Sequence, residues 1–192
     1  MLYKYIDFLD IKAIMFFHEV MPDLSFIAPF WRHKLFWIPL YVFLLVWISR
    51  RYGIWKGVEA LIISLIVVGV SDFISAQVLK PVFQRLRPCH VDWLVQHIHV
   101  LVPCGAGYSF PSAHATNHVA LAYVLSHYLP KWASVLLYLW AISIGIMQVY
   151  VGVHFFSDVL VGFLLGFLIA FVMFRIAKYV INLYLNWGYG HR

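Results

Sequence analysis

Of 192 residues, 64% are apolar and only 11% charged, against about 45–50% and about 25% in a soluble domain. So little polar surface excludes an ordinary water-soluble fold and makes lipid the natural solvent. The net charge of +6 and pI of 9.4 do not indicate a nucleic-acid partner, because cationic loops in such a chain face anionic headgroups and set topology.

The opening residues are broken by charges and lack an uninterrupted apolar run, so they do not read as a cleavable signal. Residues 1–20 place Ile6, Leu9, Ala13, Phe16 and Phe17 on one side of a helix, with Asp7, Asp10 and His18 elsewhere. That stretch is too charged to cross a bilayer, and residues 1–30 are read as an interfacial helix region on the membrane surface, helical over 1–20 and then broken by Pro22 and Pro29. A span needs about 20 largely apolar residues, and five candidates follow: Leu35 to Ser49, Ile54 to Leu79, Pro111 to Leu129, Trp132 to Val149, and Ser157 to Leu183. Gly162-x-x-x-Gly166 in the last offers a close-packing face. With no internal repeat or linker, the expected architecture is one all-α integral membrane domain, 1–192, with a bundle of about five spans over 31–192.

Lysine and arginine divide evenly between the two sides: Arg50, Arg51, Lys56, Lys131, Arg175, Lys178 and Arg192 against Lys4, Lys12, Arg32, Lys34, Lys80, Arg85 and Arg87. Two of the second set sit on the interfacial helix, and Lys80 and Arg87 have a chemical reading below. The connection Arg50–Lys56 is therefore read as cytoplasmic. The loop 80–110 and the turn 150–157 then face outward.

Polar residues gather at the outer ends of the spans, in three clusters. Lys80 and Arg87 are seven apart, which predicts one face over two helical turns. Pro111-Ser112-Ala113-His114 opens the third span, and His154-Phe-Phe-Ser-Asp158 opens the fifth. Singly, each has an ordinary explanation: interfacial anchors, a helix cap, an i,i+4 hydrogen bond. Together, polar groups at membrane depth point to function. The chemistry that unites them is phosphoryl transfer through histidine. Lys80 and Arg87 supply cations for the phosphate oxygens, and the amides after Pro111 form an anion site. His154 is the nucleophile, Asp158 orients it, and His114 is the acid for the leaving group.

These residues resemble the type 2 phosphatidic acid phosphatase superfamily, whose motifs run K-x6-R-P, P-S-G-H and S-R-x5-H-x3-D. Here they read KPVFQRLRP (80–88), PSAH (111–114) and MQVYVGVHFFSD (147–158). The resemblance implies that Lys80, Arg87, Ser112 and the amide of Ala113 bind phosphate, that His154 forms a phosphohistidine, and that His114 protonates the leaving oxygen and then activates water. It implies no metal and no cofactor, with a phosphorylated membrane lipid and the bilayer as partners. Polyprenyl diphosphates, phosphatidylglycerol phosphate and lipid A are the expected substrates, handled at the outer face of a bacterial plasma membrane.

Two positions depart from the pattern. Ala113 replaces glycine but keeps the amide. Gln148 stands where the family carries arginine, which removes a charge and a bidentate fork from the phosphate-binding set. Either Arg85 or another group replaces that charge, or the substrate differs in charge. The alternative is a catalytically silent lipid-binding or transport protein on the same fold.

Cys89 and Cys104 share the outer loop, where a disulfide would close about sixteen residues; free thiols are the other possibility. His90, His97, His99 and His118 lack the carboxylate or thiolate spacing of a familiar metal site. Asp72 is read as pairing with a neighbouring polar group.

Overall fold

The computed structural model describes residues 2–190, with side chains over 8–184. The side chains of Lys4, Ile6 and Asp7, and all of Arg192, lie outside the described residues. Every regular element among the described residues is helical: α1 (Leu2–Val20), α2 (Ala28–Trp31), α3 (Ile38–Tyr52), α4 (Ile54–Asp72), α5 (Lys80–Phe83), α6 (Asp92–Val95), α7 (Ala113–Ser126), α8 (Lys131–Tyr150) and α9 (Phe156–Gly190).

Local chemistry sets the boundaries. Pro39 sits in the first turn of α3, where its missing N–H costs nothing. Gly53, at φ 92°, turns the chain between α3 and α4. Beyond Asp72 the backbone widens into a π-helical stretch, Phe73–Leu79, before tightening again into α5. Four stretches are long and apolar enough to cross a membrane, beginning at Lys34, Ile54, Lys131 and Phe156.

The helix at the remaining expected span, α7, has 14 residues, nine of them buried. At about 1.5 Å per residue it is about 21 Å long. It is the axis of the bundle, packed by α4, α8 and α9. Ala120, Ala122, Val124 and Ile144 lie at its heart. At the end remote from Lys80, Glu59 on α4 accepts from Lys56 (2.6 Å), Lys178 of α9 (2.6 Å) and Tyr128 Oη (2.9 Å).

The apolar residues expected on one side of α1 divide between an outward and a docked face. Asp10 is 3% exposed, whereas Leu9 and Phe16 are 47% and 58% exposed. The helix docks through Asp10, Ile14 and Phe17. Apolar exposure marks a core face only when the solvent is water, and here the outer surface carries the large apolar side chains.

Gly162 and Gly166 let α9 approach the first turns of α7. A Cβ on Gly162 would stand 2.7 Å from Ser112 O and 3.0 Å from Ala115 Cβ, and one on Gly166 would strike the backbone of Thr116. Gly162→Val should therefore cost about 1–3 kcal/mol or more through overpacking. The thermal midpoint of detergent-purified protein checks this, and an unchanged midpoint contradicts the packing account.

Candidate active site

Lys80 opens α5 through the π-helical widening of the preceding helix. The expectation of two unbroken helical turns from Lys80 to Arg87 does not hold. The helix stops at Phe83, Gln84 adopts φ 47°, and Arg87 lies in extended backbone. Pro88 explains the last point, since a residue before proline is pushed out of the helical region. The turn still brings Lys80 within electrostatic reach of Arg87 and Asp158. Arg87 is anchored by Nε to Gly107 O at 2.8 Å and by Nη1 to Val153 O at 3.1 Å.

Ser112 precedes α7 as its N-cap, and its Oγ accepts from Ala115 N at 3.4 Å. Pro111 therefore lies one residue outside the cap rather than in the first turn. Ser112 N donates to Asp158 O at 2.9 Å, which ties the second cluster to the third. Among the described residues, the amides of Ala113 and His114 hydrogen-bond to no protein atom, as the first amides of a helix do not. His114 stands close enough to His154, Lys80 and Arg32 to interact with each electrostatically.

His154 occupies the turn between α8 and α9 and is 2% exposed. Its Nε2 is 3.3 Å from Arg87 Nη1, and its Nδ1 is 3.4 Å from Asp158 Oδ2. Guanidinium is only a donor, so Nε2 carries the lone pair and the proton sits on Nδ1, facing the carboxylate. Asp158 Oδ2 also accepts from Phe155 N at 2.9 Å, and Oδ1 accepts from Arg85 Nη1 at 2.8 Å. Burial above all, helped by Arg87 and Lys80 against the pull of Asp158, lowers the His154 pKa from 6.5 to about 4. The ring is thus neutral at physiological pH, the state a nucleophilic imidazole requires. Because the unfolded state takes up this proton first, His154 weakens the fold as pH falls from 6.5 towards 4.

Gln148 is fully buried on α8, and its backbone carbonyl accepts from Val153 N (3.3 Å) and His154 N (3.2 Å). Its side-chain Oε1 accepts from Arg32 Nε at 3.1 Å. Arg85 does not replace the missing charge at 148. It is spent on Asp158, on Ser157 Oγ (2.8 Å) and on Asp10 Oδ2 (2.6 Å), with its guanidinium 4.2 Å from the centre of the Phe155 ring. Asp10 and Arg32 come from the N-terminal region and carried no motif. A buried charge in an apolar helix was the one available signal for Asp10.

Asp72 accepts from Asn117 Nδ2 at 2.7 Å, the expected neighbourly pairing. His118 Nδ1 donates to His114 O at 2.7 Å, and His97 Nδ1 to Trp93 O at 2.8 Å. Among the described residues, no three His, Cys, Asp or Glu side chains gather as a metal-ligand set. Cys89 and Cys104 are joined as a disulfide with Cα atoms 6.0 Å apart. The bond closes residues 89–104, and Gly107, which meets Arg87, follows three residues later.

A cavity of about 600 Å³ adjoins the cluster, lined by Tyr41 and Leu45 of α3, Leu61 and Leu65 of α4, and His114 and Leu121 of α7. Its lining is mostly apolar, with Lys34, Asp72, His114, Asn117 and His118 among its polar members.

The sequence matches the PAP2 superfamily over residues 53–182, from the start of α4 into α9. The chain belongs to the PAP2 superfamily. Among PAP2 relatives, a lipid A 4'-phosphatase of Bacteroides thetaiotaomicron is 24% identical, across 85% of this chain and 74% of that protein. An undecaprenyl-diphosphatase of Sulfolobus acidocaldarius is 33% identical, across 73% of this chain and 63% of its own length. The crystal structure of a transmembrane PAP2-type phosphatidylglycerolphosphate phosphatase from Bacillus subtilis superposes with a TM-score of 0.69 at 26% identity, covering 92% of this chain and 88% of that one. That of Aquifex aeolicus LpxE gives 0.67 at 25%, covering 87% and 95%. The PAP2 fold and the four long apolar stretches make this an integral membrane protein.

Two outcomes follow. Nitrogen-15 shifts of histidine-labelled protein, assigned by loss of a signal in His154→Gln, should give a midpoint near 4; a midpoint at or above 6.5 contradicts the buried neutral imidazole. Maleimide should label Cys89 and Cys104 only after reduction, and reduction should lower the thermal midpoint. Labelling of both without reductant would exclude the bond.

Proposed function

We propose that this protein removes phosphate from a membrane lipid through a phosphohistidine on His154. Its relatives make lipid phosphatase the class of the enzyme; the route and the substrate are our reading. The observation that carries it is the buried His154, with its Nε2 lone pair turned towards Arg87 and its Nδ1 towards Asp158.

Nε2 attacks phosphorus as the bond to the leaving oxygen breaks. His114, as imidazolium once the bound phosphate offsets the cations around it, gives that oxygen its proton. Asp158 stabilises the positive imidazole, while Lys80, Arg87 and the first amides of α7 face the non-bridging oxygens. Water then attacks the phosphohistidine and gives its proton to His114, which restores both residues. The reading calls on protein cations for charge compensation and on no metal.

The apolar cavity beside His114 suits a lipid chain whose headgroup reaches the cluster. A polyprenyl diphosphate, phosphatidylglycerol phosphate or the phosphate of lipid A meets that description. In this reading the whole chain is one domain, α1 lies on the membrane interface with Phe8, Leu9 and Phe16 towards lipid, and the site faces the periplasm. The disulfide fits an oxidising compartment.

Phosphate release from those three lipids and phosphatidic acid by the purified protein tests the reading. At least one should be hydrolysed, and His154→Ala should lower the rate on the order of a thousandfold or more. Equal release by wild type and variant would favour a silent lipid-binding protein and end the enzyme reading.

A further inference from the structure

Arg32 occupies an unusual position for a cation in an apolar protein. It follows α2, far from the three clusters in sequence, yet its Nε donates to the buried Gln148 Oε1 at 3.1 Å. Among the described residues, no carboxylate pairs with it, and its two Nη groups donate to no protein atom. Burial and the neighbouring Arg87 both press against its charge, and it also acts on His114. Arg32 and Arg87, both half-buried, thus lie within electrostatic reach of one another, and among the described residues no carboxylate hydrogen-bonds to either. That arrangement is costly unless an anion completes it.

A second observation lies at the other end of the contact. Gln148 is fully buried, and its Nε2 has no hydrogen-bond partner. An orphaned buried donor next to Arg32, whose Nη groups are unpartnered among the described residues, is suited to lining an anion site. A glutamine at 148 also does what an arginine there would not. Its Oε1 accepts Arg32 Nε, which aligns the guanidinium and leaves the Nη edge for a bidentate contact.

We propose that Arg32 is the third cation of the phosphate site, delivered from the N-terminal region and positioned by Gln148. The charge absent at position 148 is supplied from position 32. Resting on the phosphatase reading above, this adds a substrate-contacting residue and a positioning residue. It also makes the segment after α2 part of the site rather than a mere anchor.

The probe is orthovanadate, a tetrahedral oxyanion whose affinity reports the phosphate pocket independently of turnover. Its dissociation constant, measured by calorimetry on the detergent-purified full chain, should rise about 10- to 100-fold in Arg32→Gln, the range expected for one lost charge-assisted contact. Arg32→Lys should recover part of that loss, and kcat/KM should follow the same order. The swap Arg32→Gln with Gln148→Arg should bind vanadate better than Arg32→Gln alone, with thermal midpoints confirming that each variant is folded. Vanadate binding within threefold of wild type in folded Arg32→Gln would overturn the proposal, as would an Arg32→Lys no better than Arg32→Gln. If wild type binds vanadate through Arg32 but releases no more phosphate than His154→Ala, the catalytic reading fails and the anion site stands.

Discussion

Asp158 is a carboxylate with no exposure to water, and an ionised carboxylate in that position must be neutralised by protein groups. Four contacts serve it: Arg85 on one oxygen, Phe155 N and the His154 ring on the other, and Ser112 N on its backbone carbonyl. Those partners come from three parts of the site, the cap of α7 joining through the backbone carbonyl. The carboxylate therefore does more than orient one imidazole. It draws the loop after α5, the cap of α7 and the turn before α9 to a single point. Arg85 extends the network to Asp10 on α1. Breaking a buried pair of this kind typically costs about 3–5 kcal/mol because the remaining charge is stranded.

The same constraint divides the arginines by role. Arg85 is saturated by carboxylates, so its charge is cancelled within the protein. Arg87 is held by backbone carbonyls, which fix its direction without cancelling its charge. Arg32 is held by an amide, with the same result. Cations held by neutral groups keep their attraction for an anion, and on this ground we assign Arg87 and Arg32 to phosphate and Arg85 to the scaffold.

Much of this was legible in the sequence because lipid imposes strict length and composition rules on spanning helices. The apolar runs beginning near Leu35, Ile54, Trp132 and Ser157 became long helices for that reason. Lys80, Arg87, His114, His154 and Asp158 stood out as polar residues crowded at one end of those runs. What escaped was non-local. The Arg32–Gln148 contact spans 116 positions and the Arg85–Asp10 contact 75, and no periodicity encodes either. The docking of α1 through Asp10 was not legible, because a charge in an apolar helix does not name its distant partner. The helix between Lys80 and Arg87 was misread because a local turn at Gln84, rather than a continuous helix, brings the two cations to the cluster.

The central claim is that phosphate passes through His154 on its way to water. Rapid acid-free quenching of wild-type protein with a lipid carrying radiolabelled phosphate, followed by alkaline peptide mapping, tests it directly. The account predicts base-stable, acid-labile radioactivity on the peptide containing His154, none in His154→Ala, and loss of the label on continued incubation. Turnover without any label on that peptide, or label on His114 instead, would contradict it.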